Sequence, residues 1–117
     1  MPDKTEYEEI REKTQGLLDG SETEEVEFKE STSSLDNEDL VAFANSSNGG
    51  YILIGVEEVE GKENLQRGEV IGCKVTDENK RKIYNKADSC RPPVELNVKI
   101  ENTNEDPFFC VHIPESK

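Results

Sequence analysis

Apolar positions along the chain fall in short clusters whose spacing alternates between helical and strand periods. Tyr7, Ile10, Leu17 and Leu18 approximate one helical stripe and predict a helix over residues 5–18, closed at Gly20. Glu25-Val26-Glu27-Phe28-Lys29 alternates strictly, which predicts a half-buried strand with Val26 and Phe28 on one face and Glu25, Glu27 and Lys29 on the other. The serines and threonine at 31–34 read as a loop. Ser34 or Asp36 can then cap a helix reaching about residue 46, with Leu40, Val41, Phe43 and Ala44 turned inward.

Asn48-Gly49-Gly50 is the strongest turn signal in the chain. It leads into Tyr51-Ile52-Leu53-Ile54-Gly55-Val56, an almost continuous apolar run that predicts a central strand covered on both faces. On that reading Ile52, Ile54 and Val56 share one side, and Gly55 marks a bulge or a close backbone approach. Residues 57–69 read as a polar loop, 70–73 as a short strand, and 76–88 as a basic helix with Ile83, Tyr84 and Ala87 on its apolar face, stopped by Pro92-Pro93. Val94, Leu96, Val98 and Ile100 alternate as a strand, 102–106 turn, and 107–114 form the last strand. The order α-β-α-β-β-α-β-β predicts an α+β fold: a mixed or antiparallel sheet of about five strands with two or three helices packed on it. Residues 1–19 form an N-terminal helical segment on this reading and residues 20–117 the main domain.

Composition tightens the picture. With 117 residues, 32% hydrophobic and 35% charged, there is one domain with a thin core. No apolar run approaches the ~20 residues of a membrane span, and the acidic start has no signal-like apolar stretch, so the chain reads as cytoplasmic with no membrane partner. Cys73, Cys90 and Cys110 are far apart with no CxxC pair, and His112 is the sole histidine, so a structural zinc cage is not expected. Cys110 reads as a small core residue. The thin core and a sheet edge left open make a homodimer a candidate state. Net charge is −13, yet residues 72–91 carry Lys74, Lys80, Arg81, Lys82, Lys86 and Arg91 against only three acids. One basic patch survives in an acidic chain.

Three ordered pieces carry a resemblance. Glu25-Val26-Glu27-Phe28-Lys29-Glu30-Ser31 is one. Val41-Ala42-Phe43-Ala44-Asn45 followed by Gly49-Gly50 and the strand from Tyr51 through Val56 to Glu57-Glu58 is the second. Val70-Ile71-Gly72-Cys73, the basic helix and Arg91-Pro92-Pro93 are the third. Together, over about residues 20–117, they resemble the Schlafen-type AlbA-like domain, also catalogued as a divergent ATPase-type or transcriptional-regulator domain. Two departures stand out: three residues separate Asn45 from Gly49 where two are usual, and glutamates replace the usual aspartates after the central strand. The family continues with further strand past the position of Ser116, so the chain reads as trimmed at its C-terminus.

The resemblance implies a nucleic-acid-binding regulatory module for DNA or RNA. The expected phosphate contacts are Lys74, Lys80, Arg81, Lys82, Lys86 and Arg91, whose binding would be salt-dependent and sequence-independent. Some relatives of this type are ribonucleases in which three carboxylates hold a divalent metal, and carried onto this chain the catalytic candidates are Glu22, Glu27 and Glu57 or Glu58. Of these, Glu22, Glu27 and Glu58 are the metal ligands, for Mg²⁺ or Mn²⁺. Enzymatic activity is the less favoured alternative, since in a chain with 27 acidic residues carboxylates fall at given positions almost freely. Asn48, Gly49 and Gly50 are the candidate phosphate-binding loop, with a tight turn as the competing role. They lack the lysine and spacing of a nucleotide-binding loop, so the ATP-binding label of the family has weak support. A third alternative is an acidic protein-interaction module that binds no nucleic acid.

Overall fold

Strand β1 (Val26–Lys29) runs parallel to β2 (Gly50–Ile54), with Phe28 beside Leu53 and Val26 beside Tyr51. β2 pairs antiparallel with β6 (Phe108–Ile113), and β6 antiparallel with β5 (Asn97–Glu101), which gives one mixed sheet in the order β1-β2-β6-β5. These relations come from a computed structural model describing residues 4–20, 25–46, 48–60 and 66–115. The expected α+β class holds, with a second sheet, the hairpin of β3 (Val56–Glu60) and β4 (Gln66–Val70), added to the four-stranded one.

Alternation splits the sheet's apolar residues between two cores. One face carries Ile52, Ile54, Phe109, Val111, Ile113, Val98 and Ile100. Covering it are α2 (Asn37–Asn45), through Leu40 and Phe43, and α3 (Asp77–Ser89), through Ile83 and Ala87. α2 starts as its sequence predicts. The Asp36 side chain accepts from the backbone of Asp39, whose own carboxylate accepts from the Asp36 N–H. The other face carries Leu53, Cys110 and Phe108, with Val26 and Phe28 packed against them, and is covered by Leu17 and Leu18 of α1 (Glu12–Asp19) and by the hairpin through Val56 and Val70.

Gly55 is where the expected six-residue central strand breaks. Its φ of +105° is a left-handed conformation that other residues adopt only with strain. Its N–H donates to the Lys29 carbonyl at 2.7 Å, while its carbonyl accepts from Ile71 and Gly72 at 2.9 Å each. The turn moves Val56 out of register, so it joins Leu53 in the second core rather than Ile52 and Ile54 in the first. Beyond Gly55 the chain forms the β3–β4 hairpin instead of the expected polar loop. The hairpin approaches the sheet closely at Gly68, where a Cβ would come within 2.7 Å of both Phe28 and Val56. Residues 71–73 continue without strand pairing rather than forming the expected strand.

The N-terminal helix is shorter than its stripe predicts. α1 begins at Glu12 and ends, as Gly20 suggests, in a left-handed cap with φ +79°. Upstream, the chain is extended along the edge of β5: Ile100 donates to the Thr5 carbonyl at 2.7 Å, and Tyr7 donates to the Ile100 carbonyl at 2.8 Å. The β5 edge of the sheet is therefore partly paired within the chain. What holds the segment down is Glu101, wholly buried beneath it. Its carboxylate accepts from the Arg11 backbone N–H and guanidinium at 2.8 Å each and from the Thr14 hydroxyl at 2.6 Å. Partial burial works against the Arg11 charge, but the hydrogen bond and attraction of Glu101 outweigh it, holding the guanidinium above its usual range.

Cys110 lies beside this cluster, buried as expected. Burial, aided by the Glu101 charge, pushes its thiol from 9.0 up to about 12. An unfolded thiol loses its proton near pH 9 while the folded one keeps it, so the folded state binds more protons there. Stability from this residue is complete below pH 9.0 and falls as pH rises toward about 12. Chemical denaturation on either side of pH 9 checks this, and Cys110→Ala is expected to flatten the decline.

Candidate nucleic-acid interface

The basic helix owes its start to Thr76, whose hydroxyl accepts from the Asn79 N–H at 3.1 Å, and to Asp77 and Glu78 in its first turn. Ile83 and Ala87 anchor it. At about 100° per residue, that anchoring sends Asn79, Lys82 and Lys86 along one flank and Lys80 and Tyr84 along the other, while Arg81 points outward. The first flank lines a cleft of about 630 Å³, whose opposite wall is residues 31–33, including part of a one-turn 3₁₀ segment (Thr32–Ser34) in which Thr32 is buried. Lys74 also lines the cleft. Its carbonyl accepts from the Asn79 side-chain amide at 2.8 Å, which ties the approach to the helix. The Ser31 hydroxyl shares hydrogen bonds with Ser33 on that wall at 2.8 Å and with Ser34, next to it in the chain, at 3.2 Å.

Lys74, Lys82 and Lys86 pair with no carboxylate among the described residues, and Glu30 is the one acid on the lining. Three lysines and a run of hydroxyl side chains lining one cleft are chemically a site for an anion with several oxygens, such as a phosphodiester.

The other candidate residues lie elsewhere. Arg91 turns back on its own turn, donating to the carbonyls of Asp88 at 3.3 Å and Cys90 at 3.1 Å. Gly49 and Gly50 are buried. A Cβ on Gly50 would strike the Phe43 ring, and one on Gly49 would strike the Ile113 carbonyl oxygen, so both glycines answer to close packing. Asn48 is exposed beside them. Glu27 faces the α2 side, where Lys29 bridges it at 3.4 Å and Asp39 at 3.1 Å. Partial burial draws the Lys29 ammonium down, yet Asp39 and Glu27 together hold it above its ordinary value. Glu57 and Glu58 are exposed on the hairpin, which packs against Phe28 on the opposite face. Gly55 is the cause, because it removes these glutamates from the sheet that holds Glu27. Glu22 lies outside the described residues. Among those described, no group of three or more His, Cys, Asp or Glu is placed to hold a metal ion, so no reaction step is built on one.

Reading the sequence missed the hydroxyl wall, although a Ser/Thr run ahead of a capped helix was the available signal. Tyr84 also differs from its assignment to the packed face. It is 38% exposed, and its hydroxyl accepts from the Val98 N–H at 3.3 Å at the sheet edge.

These features define a class: an α+β domain whose mixed sheet supports a basic helix with a hydroxyl-lined cleft on one flank. The chain belongs to the Schlafen AlbA_2 family, which it matches over residues 22–117. No curated protein matches it. Among solved structures it is similar in fold to the N-terminal domain of an ATP-dependent DNA helicase RecG-related protein from Nitrosomonas europaea, with a TM-score of 0.63 and 22% identity. That match covers 82% of this chain and 66% of the other, so this chain spans just under two thirds of its length. No helix among the described residues is long and apolar enough to cross a membrane.

Proposed function

We propose that this chain is a nucleic-acid-binding module that holds the phosphate backbone in the cleft between α3 and residues 31–33. The observation carrying this reading is the convergence of Lys74, Lys82 and Lys86, unpaired among the described residues, on one hydroxyl-lined cleft of an otherwise acidic chain. The family, and the DNA helicase relationship in the name of the structural neighbour, point the same way. A net charge of −13 repels a polyanion from most of the surface, so it restricts where a strand can dock rather than forbidding docking. Three contacts imply weak binding whose affinity falls with salt at a logarithmic slope of about −2 to −3. A cytoplasmic setting fits its three free thiols.

The test compares charge reversal on the two parts of α3. Lys82→Glu with Lys86→Glu is expected to weaken binding of a labelled oligonucleotide at low salt more than about tenfold, with a shallower salt slope. Lys80→Glu with Arg81→Glu, equal in charge but off the cleft, is expected to cost markedly less than the cleft pair, and its cost should vanish first as salt is raised toward about 0.15 M, where the Debye length shrinks to about 8 Å. Equal losses from both pairs would reduce the cleft to a general charge effect and defeat the assignment.

A further inference from the structure

A second cleft, of about 300 Å³, opens on the far flank of α3, where the α1-side face of the sheet is left uncovered. Tyr51 and His112 are cross-strand neighbours there, stacked with ring centroids 4.7 Å apart and planes 20° from parallel. Across its other strand boundary His112 faces Asn97. Lys99 and Arg11 also line the space, and the exposed ring of Tyr84 borders it. The Lys13 ammonium sits 5.4 Å from the centre of the Tyr51 ring. In a chain with 27 acidic residues, no carboxylate among the described residues lines this cleft.

An aromatic ring in a cationic, carboxylate-free cleft suits a flat, electron-rich group joined to an anion. A nucleobase with its phosphate is that group. Stacking tolerates any base, whereas an adjacent side-chain amide can hydrogen-bond a base edge. A base held in a duplex hides both faces and cannot enter. We propose that this cleft receives one unpaired base of a single-stranded nucleic acid, stacked on His112, with Asn97 at the base edge and Lys99 at the adjoining phosphate. Burial, with Lys13 and Lys99 nearby, lowers the affinity of His112 for a proton, so a neutral ring is available for stacking near pH 7. The proposal rests on the nucleic-acid reading above and adds a preference for single strands that the lysine cleft alone does not give.

The experiment measures anisotropy of a labelled single strand of about 12 nucleotides and of the duplex of the same sequence. The proteins are wild type, His112→Ala, His112→Phe, Lys99→Gln and the Lys82→Glu/Lys86→Glu pair, each checked by thermal melting. His112→Ala is expected to weaken the single strand about tenfold and leave the duplex unchanged, while His112→Phe stays within about threefold of wild type. Lys99→Gln, on a partly exposed side chain, should weaken the single strand without lowering the melting temperature. Five outcomes overturn the proposal. One is unchanged single-strand binding in His112→Ala and Lys99→Gln. Another is equal loss for strand and duplex, and the third is AMP competing as well as the oligonucleotide, which would make the cleft a mononucleotide site. If the lysine pair abolishes binding while His112→Ala does not, the phosphate cleft stands and this proposal falls. If neither strand nor duplex binds wild type at low salt, both fall.

Discussion

Replacing Gly49 by alanine is expected to destabilise the domain by about 2–5 kcal/mol, a large part of the total for a chain of this size. The backbone there has φ +68°, and the new Cβ would land on the Ile113 carbonyl oxygen while lying 2.8 Å from the Glu115 nitrogen. These obstacles are backbone atoms at the end of β6, so no side-chain rotation relieves them. Urea denaturation measures the loss directly. A change within about 0.5 kcal/mol, the range of neutral surface substitutions, would show that the turn can move aside and would reopen a ligand-binding role for Asn48-Gly49-Gly50.

Glu101→Ala is expected to cost about 3–5 kcal/mol, the range for breaking a buried ion pair by removing one partner. Glu101 is the only charged side chain in the described core, and three donors converge on it from the segment that leads into α1. Losing it strands the Thr14 hydroxyl and the Arg11 N–H in an apolar setting. The Arg11 guanidinium, 33% exposed, can turn toward water, which places the cost nearer the lower end. Glu101→Gln keeps acceptor geometry for one oxygen and should cost markedly less. Arg11→Met combined with Glu101→Leu should recover much of the loss, because apolar replacement of a buried pair is often close to neutral. Chemical denaturation of all three checks this, and a double variant as unstable as Glu101→Ala would contradict it.

The parts of this fold that are legible in the sequence are those where local pattern and tertiary packing agree. The alternation around Phe28, the capped helix from Asp36 and the apolar run from Tyr51 point to neighbouring strands under a helical layer, and the structure pairs β1 with β2, in parallel, with Phe43 buried there at 8% exposure. Legibility ends where a single residue or a distant partner decides. Gly55 stands out in the sequence, but the reversal it makes depends on the Lys29 carbonyl and the backbone of Ile71 and Gly72, which no window of sequence reveals. The stripe from Tyr7 to Leu18 has helical spacing, yet residues 5–7 bond to β5 across more than 90 residues of sequence. The candidate site is half legible. The basic composition of α3 is plain, whereas the division of its cations between flanks emerges only once Ile83 and Ala87 fix the helix's rotation. The stack of Tyr51 on His112 needs the β2–β6 register, which periodicity does not supply.

The phosphate cleft is tested most directly by titrating isotope-labelled protein with a short oligonucleotide at low salt and mapping which amide resonances move. The account predicts that the largest shifts fall on residues 31–33, Lys74, Asn79, Lys82 and Lys86 and diminish together as salt is raised. Shifts concentrated on the β3–β4 hairpin or around Arg91, with residues 31–33 and Lys82 unmoved, would contradict it.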